Sequence, residues 1–216
     1  MDSIEILLSD LEEYRTPSEM KEYMNRIRGC VKASPDLSEK ARIKKGKFKK
    51  LLEEFNPLLL FGNSRFCAPD SRMKIVLGNQ GYDALIEEGN GDITKLEITL
   101  YCDGKADYID GIKINERGYG EVRLTGTSSL DVHEADYIEK ILANARKKSA
   151  KSYSDASLLF VVSTSELFGS LDRSDDAFII SLKNELGRID FDAQAVYLMI
   201  VNRQDIDKID EYIFRL

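Results

Sequence analysis

Histidine and tryptophan are almost missing from this chain: its 216 residues include one His and no Trp. A His-based zinc site is thereby all but ruled out, and a Ser-His-Asp triad would have only His133 to draw on. Cysteine is scarce and odd in number. Cys30, Cys67 and Cys102 are widely separated and lack metal-ligand spacing, so they read as reduced thiols of a cytoplasmic protein. Long apolar runs are absent too. The longest, Leu58–Phe61 and Leu158–Val162, fall far short of a membrane span, so no membrane partner is expected. The chain opens on acidic residues rather than a basic-then-apolar leader, which predicts a protein that is not secreted.

What is present suits a globular domain. Hydrophobic content of 43% leaves ample material for a core, and 32% charged residues suit an aqueous surface. The net charge of −7 argues against a protein that coats nucleic acid over its whole surface. Two local basic clusters stand against that balance. Lys40, Arg42, Lys44, Lys45, Lys47, Lys49 and Lys50 form one, and Arg146, Lys147, Lys148 and Lys151 the other. A solvated face is the ordinary explanation of either; together they favour a polyanionic partner.

Residues 1–34 read as a helical extension. Ile4, Leu7, Leu8 and Leu11 make one apolar stripe, and Met20, Tyr23, Met24 and Ile27 another, with a helix start at Thr16-Pro17-Ser18-Glu19. Both stripes are packing surfaces, for the chain itself or for a homodimer or protein partner. Residues 35–216 read as one α/β domain. A helix is expected over Leu37–Phe55, stopped by Asn56-Pro57, because the residue before proline avoids the helical region. Strands follow at Met73–Leu77, Tyr82–Glu88 and Lys95–Leu100. Residues 102–126, with five glycines, read as a long polar connection holding a short strand at Gly120–Thr125. A helix over Asp131–Ser152, capped by Asp131 with Glu134, precedes a buried strand at Leu158–Val162. A helix over Asp175–Leu186, a second buried strand ending at Val201 and a short element over Asp205–Leu216 complete the order. That order predicts an α/β three-layer sandwich with a mixed central sheet.

The two strands around Gly89-Asn90-Gly91 carry the candidate chemistry. Tyr82, Ala84 and Ile86 would share an apolar face with Leu96, Ile98 and Leu100. Asp83, Glu87, Lys95, Glu97 and Thr99 would share the other. Carboxylates in mid-strand are poor strand formers and repel one another, so a divalent cation is the natural partner. For Asp83 and Glu97 to share a face the loop must be odd in length, and three residues with a glycine in the left-handed position satisfy that.

This order of elements, with Asp83 at the start of one strand and Glu97 inside the next, resembles the PD-(D/E)XK nuclease superfamily and its restriction-endonuclease-like core, over roughly residues 37–165. The resemblance implies a metal-dependent nuclease that hydrolyses DNA phosphodiester bonds. It implies Asp83 and Glu97 as ligands of Mg2+ or Mn2+, with Glu54 (or Glu53) from the first helix as a further ligand. The family places a catalytic lysine two residues after the Glu. Here that position is Thr99. Lys95, on the same face, or a lysine migrated to the following helix (Lys147, Lys148 or Lys151) would have to supply the charge, Lys148 being the one taken as catalytic. Gln80, Thr99, Lys147 and Lys151 are the expected substrate contacts. The other outcome of the Thr99 substitution is a catalytically inactive module that binds nucleic acid or protein on the same fold. His133 reads as a cap or surface residue. Asp103, Asp107 and Asp110 lack the spacing of a calcium loop, and Gly118-Tyr119-Gly120 lacks the Lys-Ser/Thr of a phosphate loop.

Overall fold

The computed structural model describes residues 3–102, 104–119, 130–164, 176–201 and 206–216. The chain divides into two compact units. One comprises Met1–Thr94 with Cys102–Arg123, the other Lys95–Tyr101 with Leu124–Leu216. Residues 1–34 therefore lie in the same unit as the segment that follows them. Helices and a mixed sheet make the fold α/β. Among the described residues no helix is long and apolar enough to cross a membrane.

The first unit is mainly helical. Helix α1 spans Ser3–Leu7 and α2 spans Pro17–Ala33. The start of α2 is the capping box legible in the sequence: the Glu19 N–H donates to the Thr16 hydroxyl while the Glu19 carboxylate accepts from the Thr16 backbone N–H at 2.8 Å. Both expected stripes are packing surfaces, with Ile4, Leu8, Leu11, Met20, Tyr23, Met24 and Ile27 all buried.

The expected single helix over Leu37–Phe55 is not formed as such. Helix α3 covers Pro35–Arg42, and the chain then turns through Lys44 and Gly46, both with positive φ. A new helical stretch begins at α4, Lys47–Lys50, passes through one π-helical turn, Leu51–Phe55, and continues as α5, Asn56–Gly62. Pro57 does not stop it. In a regular α-helix its ring would meet the carbonyl four residues back. The π turn shifts the bonding instead, with the Asn56 N–H reaching the Leu51 carbonyl. Burial explains why the chain accepts this: Phe48, Leu51, Phe55, Leu58, Leu59 and Phe61 are all buried. Each such side chain contributes about 1.5–3 kcal/mol when fully buried, enough together to outweigh a local bias at Asn56.

Strands β1, Arg72–Ile75, and β2, Ala84–Glu87, pair antiparallel with Arg72 opposite Glu87 and Ile75 opposite Ala84. Arg15 bridges to Met73 on the outer edge of β1. After β2 the turn is closed by the Glu88 N–H donating to the Asp92 carbonyl at 2.9 Å, leaving the three-residue loop Gly89-Asn90-Gly91. Gly91, at φ 85°, takes the left-handed position. Much of the expected polar connection is helix α6, Gly104–Arg117, which packs on α3. Its glycines mask it in the sequence, and Gly111 is there for packing: a Cβ would meet the Arg42 carbonyl oxygen at 2.8 Å. The expected strand at Gly120–Thr125 lies outside the described residues.

In the second unit, β3 (Ile93–Tyr101, from Lys95 onward), β4 (Ser157–Ser163) and β5 (Val196–Val201) run parallel, and β6 (Ile213–Arg215) is antiparallel to β5. Leu158–Val162 is buried throughout, as a central strand should be. Helices α7, Leu130–Ser149, and α8, Asp176–Leu186, bring Tyr137, Ile141, Leu142, Ala145, Phe178, Leu182 and Leu186 against Leu158, Phe160, Val162, Leu198 and Ile200. The expected cap at Asp131 concerns a side chain outside the described ones.

Candidate active site

The π turn sets the carboxylates of the first unit. It presents Glu53 and Glu54 in succession, and the two have different fates. Glu53 is held by Lys44 at 3.2 Å, and Lys44 also reaches Asp107 of α6 at 2.8 Å. This ion triad ties the left-handed corner, the π turn and α6 together, which is a structural role. Burial works against the Lys44 charge, but hydrogen bonds to Asp107 and Glu53 and nearby negative charge leave its pKa above the ordinary value.

Glu54 is different. One oxygen pairs with Lys50, one turn earlier on α4. The other, Oε2, is buried without a hydrogen-bond partner, and the side chain is only 12% exposed. Burial, with the negative charges of Asp83 and Glu53, pushes the Glu54 carboxyl up to about 7 against the pull of Lys50. For Lys50, burial opposes the charge, while the hydrogen bond and charge of Glu54, with Asp83 and Glu53, hold its pKa above the ordinary value. Asp83 lies just before β2, half-buried, with its carbonyl accepting from the Val76 N–H at 2.8 Å. The structure thus groups Glu54, Lys50 and Asp83 by their mutual electrostatic influence. Lys50 was legible only as one of a basic run, although its spacing to Glu54 is that of a helical ion pair.

In the second unit the alternation of β3 is as expected, with Leu96 and Ile98 buried and Lys95, Glu97 and Thr99 half-buried. Glu97 does not face open solvent. Its side chain is 14% exposed and pairs with Lys148 from the last turn of α7. The Lys148 ammonium also stands 5.8 Å from the centre of the Tyr153 ring. Burial opposes its charge, yet the Glu97 carboxylate and Tyr153 keep its pKa raised. Lys95 ion-pairs with Asp155 at 2.6 Å. Thr99 lies two residues beyond Glu97, opposite Phe160 in the parallel ladder. Lys147 and Lys151 are exposed at the end of α7. In the first unit, Gln80 donates its amide to the Val76 carbonyl at 2.7 Å, a local staple of the turn before β2.

Among the described residues no group of three or more His, Cys, Asp or Glu side chains is disposed to hold a metal ion. The fit to a cation in the first unit therefore rests on two carboxyls, Glu54 and Asp83. The unpartnered, buried oxygen of Glu54 suits an oxygen-seeking ion such as magnesium, which keeps several waters and needs few protein ligands. Comparison with protein-family models, curated proteins and solved structures finds no match for this chain.

Proposed function

We propose that the chain is a metal-dependent nuclease-like protein that hydrolyses DNA phosphodiester bonds, with Asp83 and Glu54 as ligands of Mg2+ or Mn2+ and Glu97 as the partner that holds Lys148. The observation that carries this is the Glu54 carboxyl, buried with one oxygen unpartnered and raised further by the Asp83 charge. Two anionic groups so disposed gain from a shared cation. When bound, such an ion supplies Lewis acidity toward a phosphoryl oxygen and promotes ionisation of water.

The chain's own side chains supply the rest. Lys148, held in place by Glu97 and Tyr153, offers the fixed positive charge that the Thr99 hydroxyl lacks. Lys95 of β3, paired with Asp155, is the second candidate lysine. Thr99 and Gln80 offer uncharged hydrogen-bonding groups, and Lys147 and Lys151 offer charges to the phosphate backbone. No covalent intermediate is required.

The test is nicking of supercoiled DNA with magnesium or manganese. Cleavage is expected from the parent and should be abolished by EDTA, by Asp83→Ala and by Glu97→Ala. Lys148→Met is expected to slow it by about 10²-fold or more, the usual effect of removing a preorganised charge. Variants at Asp83 and Glu97 that cut as fast as the parent would sink the proposal. Thr99 in the lysine position favours one other reading, a catalytically inactive binding module. Its signature is DNA retention that falls with salt, ignores EDTA and never leads to cleavage.

A further inference from the structure

The two basic clusters of the sequence have opposite fates. In the first, Lys40 pairs with Asp36, Lys44 with Glu53 and Asp107, Lys47 with Glu5, Lys49 with Glu53 and Lys50 with Glu54, while Arg42 bonds to Asn115. Its charge is largely neutralised within the first unit. On α7 the outcome differs. Lys140, Lys147 and Lys151 are exposed, and among the described residues none of them makes an ion pair or a side-chain hydrogen bond. With half-buried Asn144 between the first two, they recur at steps of four, three and four residues, which sets them on one side of the helix. Helix α7 ends at Ser149, and Lys151 follows in a turn that stays against the helix end, its N–H bonding to the Lys148 carbonyl at 3.0 Å. At 1.5 Å per residue the row is roughly 16 Å long, about five steps of one DNA strand at 3.4 Å each.

We infer that this row, Lys140, Asn144, Lys147 and Lys151, is a track for the phosphate backbone of a DNA strand. It deepens the proposed function and rests on DNA being the substrate. Lys148, one residue along from Lys147, is the lysine that meets Glu97, so the track runs beside the residue assigned to charge stabilisation. Glu139 is turned to Arg146 at 3.6 Å, and Asp136 precedes the row by one turn. An anionic membrane suits the row less well. A membrane-surface helix needs its apolar face open to lipid, and Tyr137, Ile141, Leu142 and Ala145 are buried in the second unit's own core.

The test is binding of a fluorescent 20-base-pair duplex by anisotropy in EDTA, between 50 and 200 mM salt. The parent is compared with Lys140→Gln/Lys147→Gln/Lys151→Gln and with a control of equal charge change at other exposed lysines, Lys32→Gln/Lys45→Gln/Lys208→Gln. All six positions are solvent-exposed, so both variants should fold, which circular dichroism checks. The row variant should lose about 3 from the slope of log affinity against log salt, and the control less than about 1. Equal losses in the two variants would make the effect one of net charge and overturn the track. So would a row variant that binds DNA as the parent does but no longer binds phosphatidylserine vesicles. A chain that does not cleave yet shows the expected row effect would remove the metal chemistry and leave the track. Metal-dependent cleavage with unaltered binding by the row variant would do the reverse.

Discussion

Glu54→Gln should stabilise the protein above neutral pH. The parent's carboxyl has an ordinary value of 4.5 and is pushed up to about 7, first by burial and then by Asp83 and Glu53. Below pH 4.5 the group carries a proton in both folded and unfolded chains. Between 4.5 and 7 the folded chain keeps the proton and the unfolded chain has released it, so stability falls as pH rises. Above 7 the loss is complete and the profile levels. At about 1.4 kcal/mol per pH unit, the full loss is about 3 kcal/mol. The amide mimics the protonated acid, still accepts from Lys50, and has nothing to titrate. The variant should therefore match the parent near pH 4.5 and exceed it by about 3 kcal/mol at pH 8. For a chain of this size that is a difference in Tm of roughly 6–12 °C.

Neighbouring groups do not confuse the window. The raised pKa of Lys50 matters only above its ordinary 10.5. Glu19 and Asp155 have lowered values, set chiefly by hydrogen bonds from Thr16 and Lys95, so their contribution is lost only as pH falls below the ordinary carboxylate range. The assay is thermal or urea unfolding of parent and variant at half-unit steps from pH 4.5 to 8, with and without magnesium. Magnesium should stabilise the parent at pH 8, where Glu54 is ionised, and leave the variant's profile almost unchanged. A parent profile that is flat or rises between pH 5 and 7, or a variant less stable than the parent at pH 8, would refute the reasoning.

Two further outcomes follow from packing and pairing. Gly111→Ala sets a Cβ 2.8 Å from the Arg42 carbonyl oxygen, so α6 must move off α3 at a cost of about 1–3 kcal/mol, measurable by urea unfolding; an unchanged midpoint would show that α6 does not need the close approach. Lys148→Met leaves the Glu97 carboxylate largely buried without its ammonium, costing about 3 kcal/mol, most of which Lys148→Met/Glu97→Gln should restore. A double variant no more stable than the single one would show that the pair is not what the lysine contributes.

The legible parts of this chain were those where one local rule agreed with the tertiary structure. Thr16 and Glu19 form the expected capping box, Leu158–Val162 is a buried strand, and Gly89-Asn90-Gly91 is a three-residue loop with Gly91 left-handed. The failures share a cause, a local signal overruled by burial. Asn56-Pro57 reads as a stop, but the apolar series from Phe48 to Phe61 carries the helix across it through a π turn. Gly104 and Gly111 read as loop, yet Gly111 serves close helix packing. Gly111 could not be found from periodicity, because the residue that matters, Arg42, is a partner more than sixty positions away.

The same contrast explains what could be read of the site. Asp83 and Glu97 stand out because acids are unusual in strands, Glu54 enters only through the family resemblance, and nothing about their own spacing says which cation meets each. The pairing had to come from geometry. Lys148 lies 51 residues beyond Glu97 and reaches it only because α7 returns the chain beside the parallel strands β3 and β4. In a parallel pair a crossover connection is required and is usually a helix, so the last turn of that helix is a place from which a side chain can reach the preceding strand. A lysine there needs no fixed position relative to the carboxylate in sequence. Under the proposed function, Thr99 leaves β3 without a lysine two residues after Glu97, and Lys148 of the crossover helix is the lysine that stands beside that carboxylate. Transfer of function should be testable within this chain: if Lys148 is the working ammonium, Thr99→Lys should rescue cleavage in Lys148→Met by at least tenfold, and failure to do so while Asp83 and Glu97 remain essential would assign the charge elsewhere.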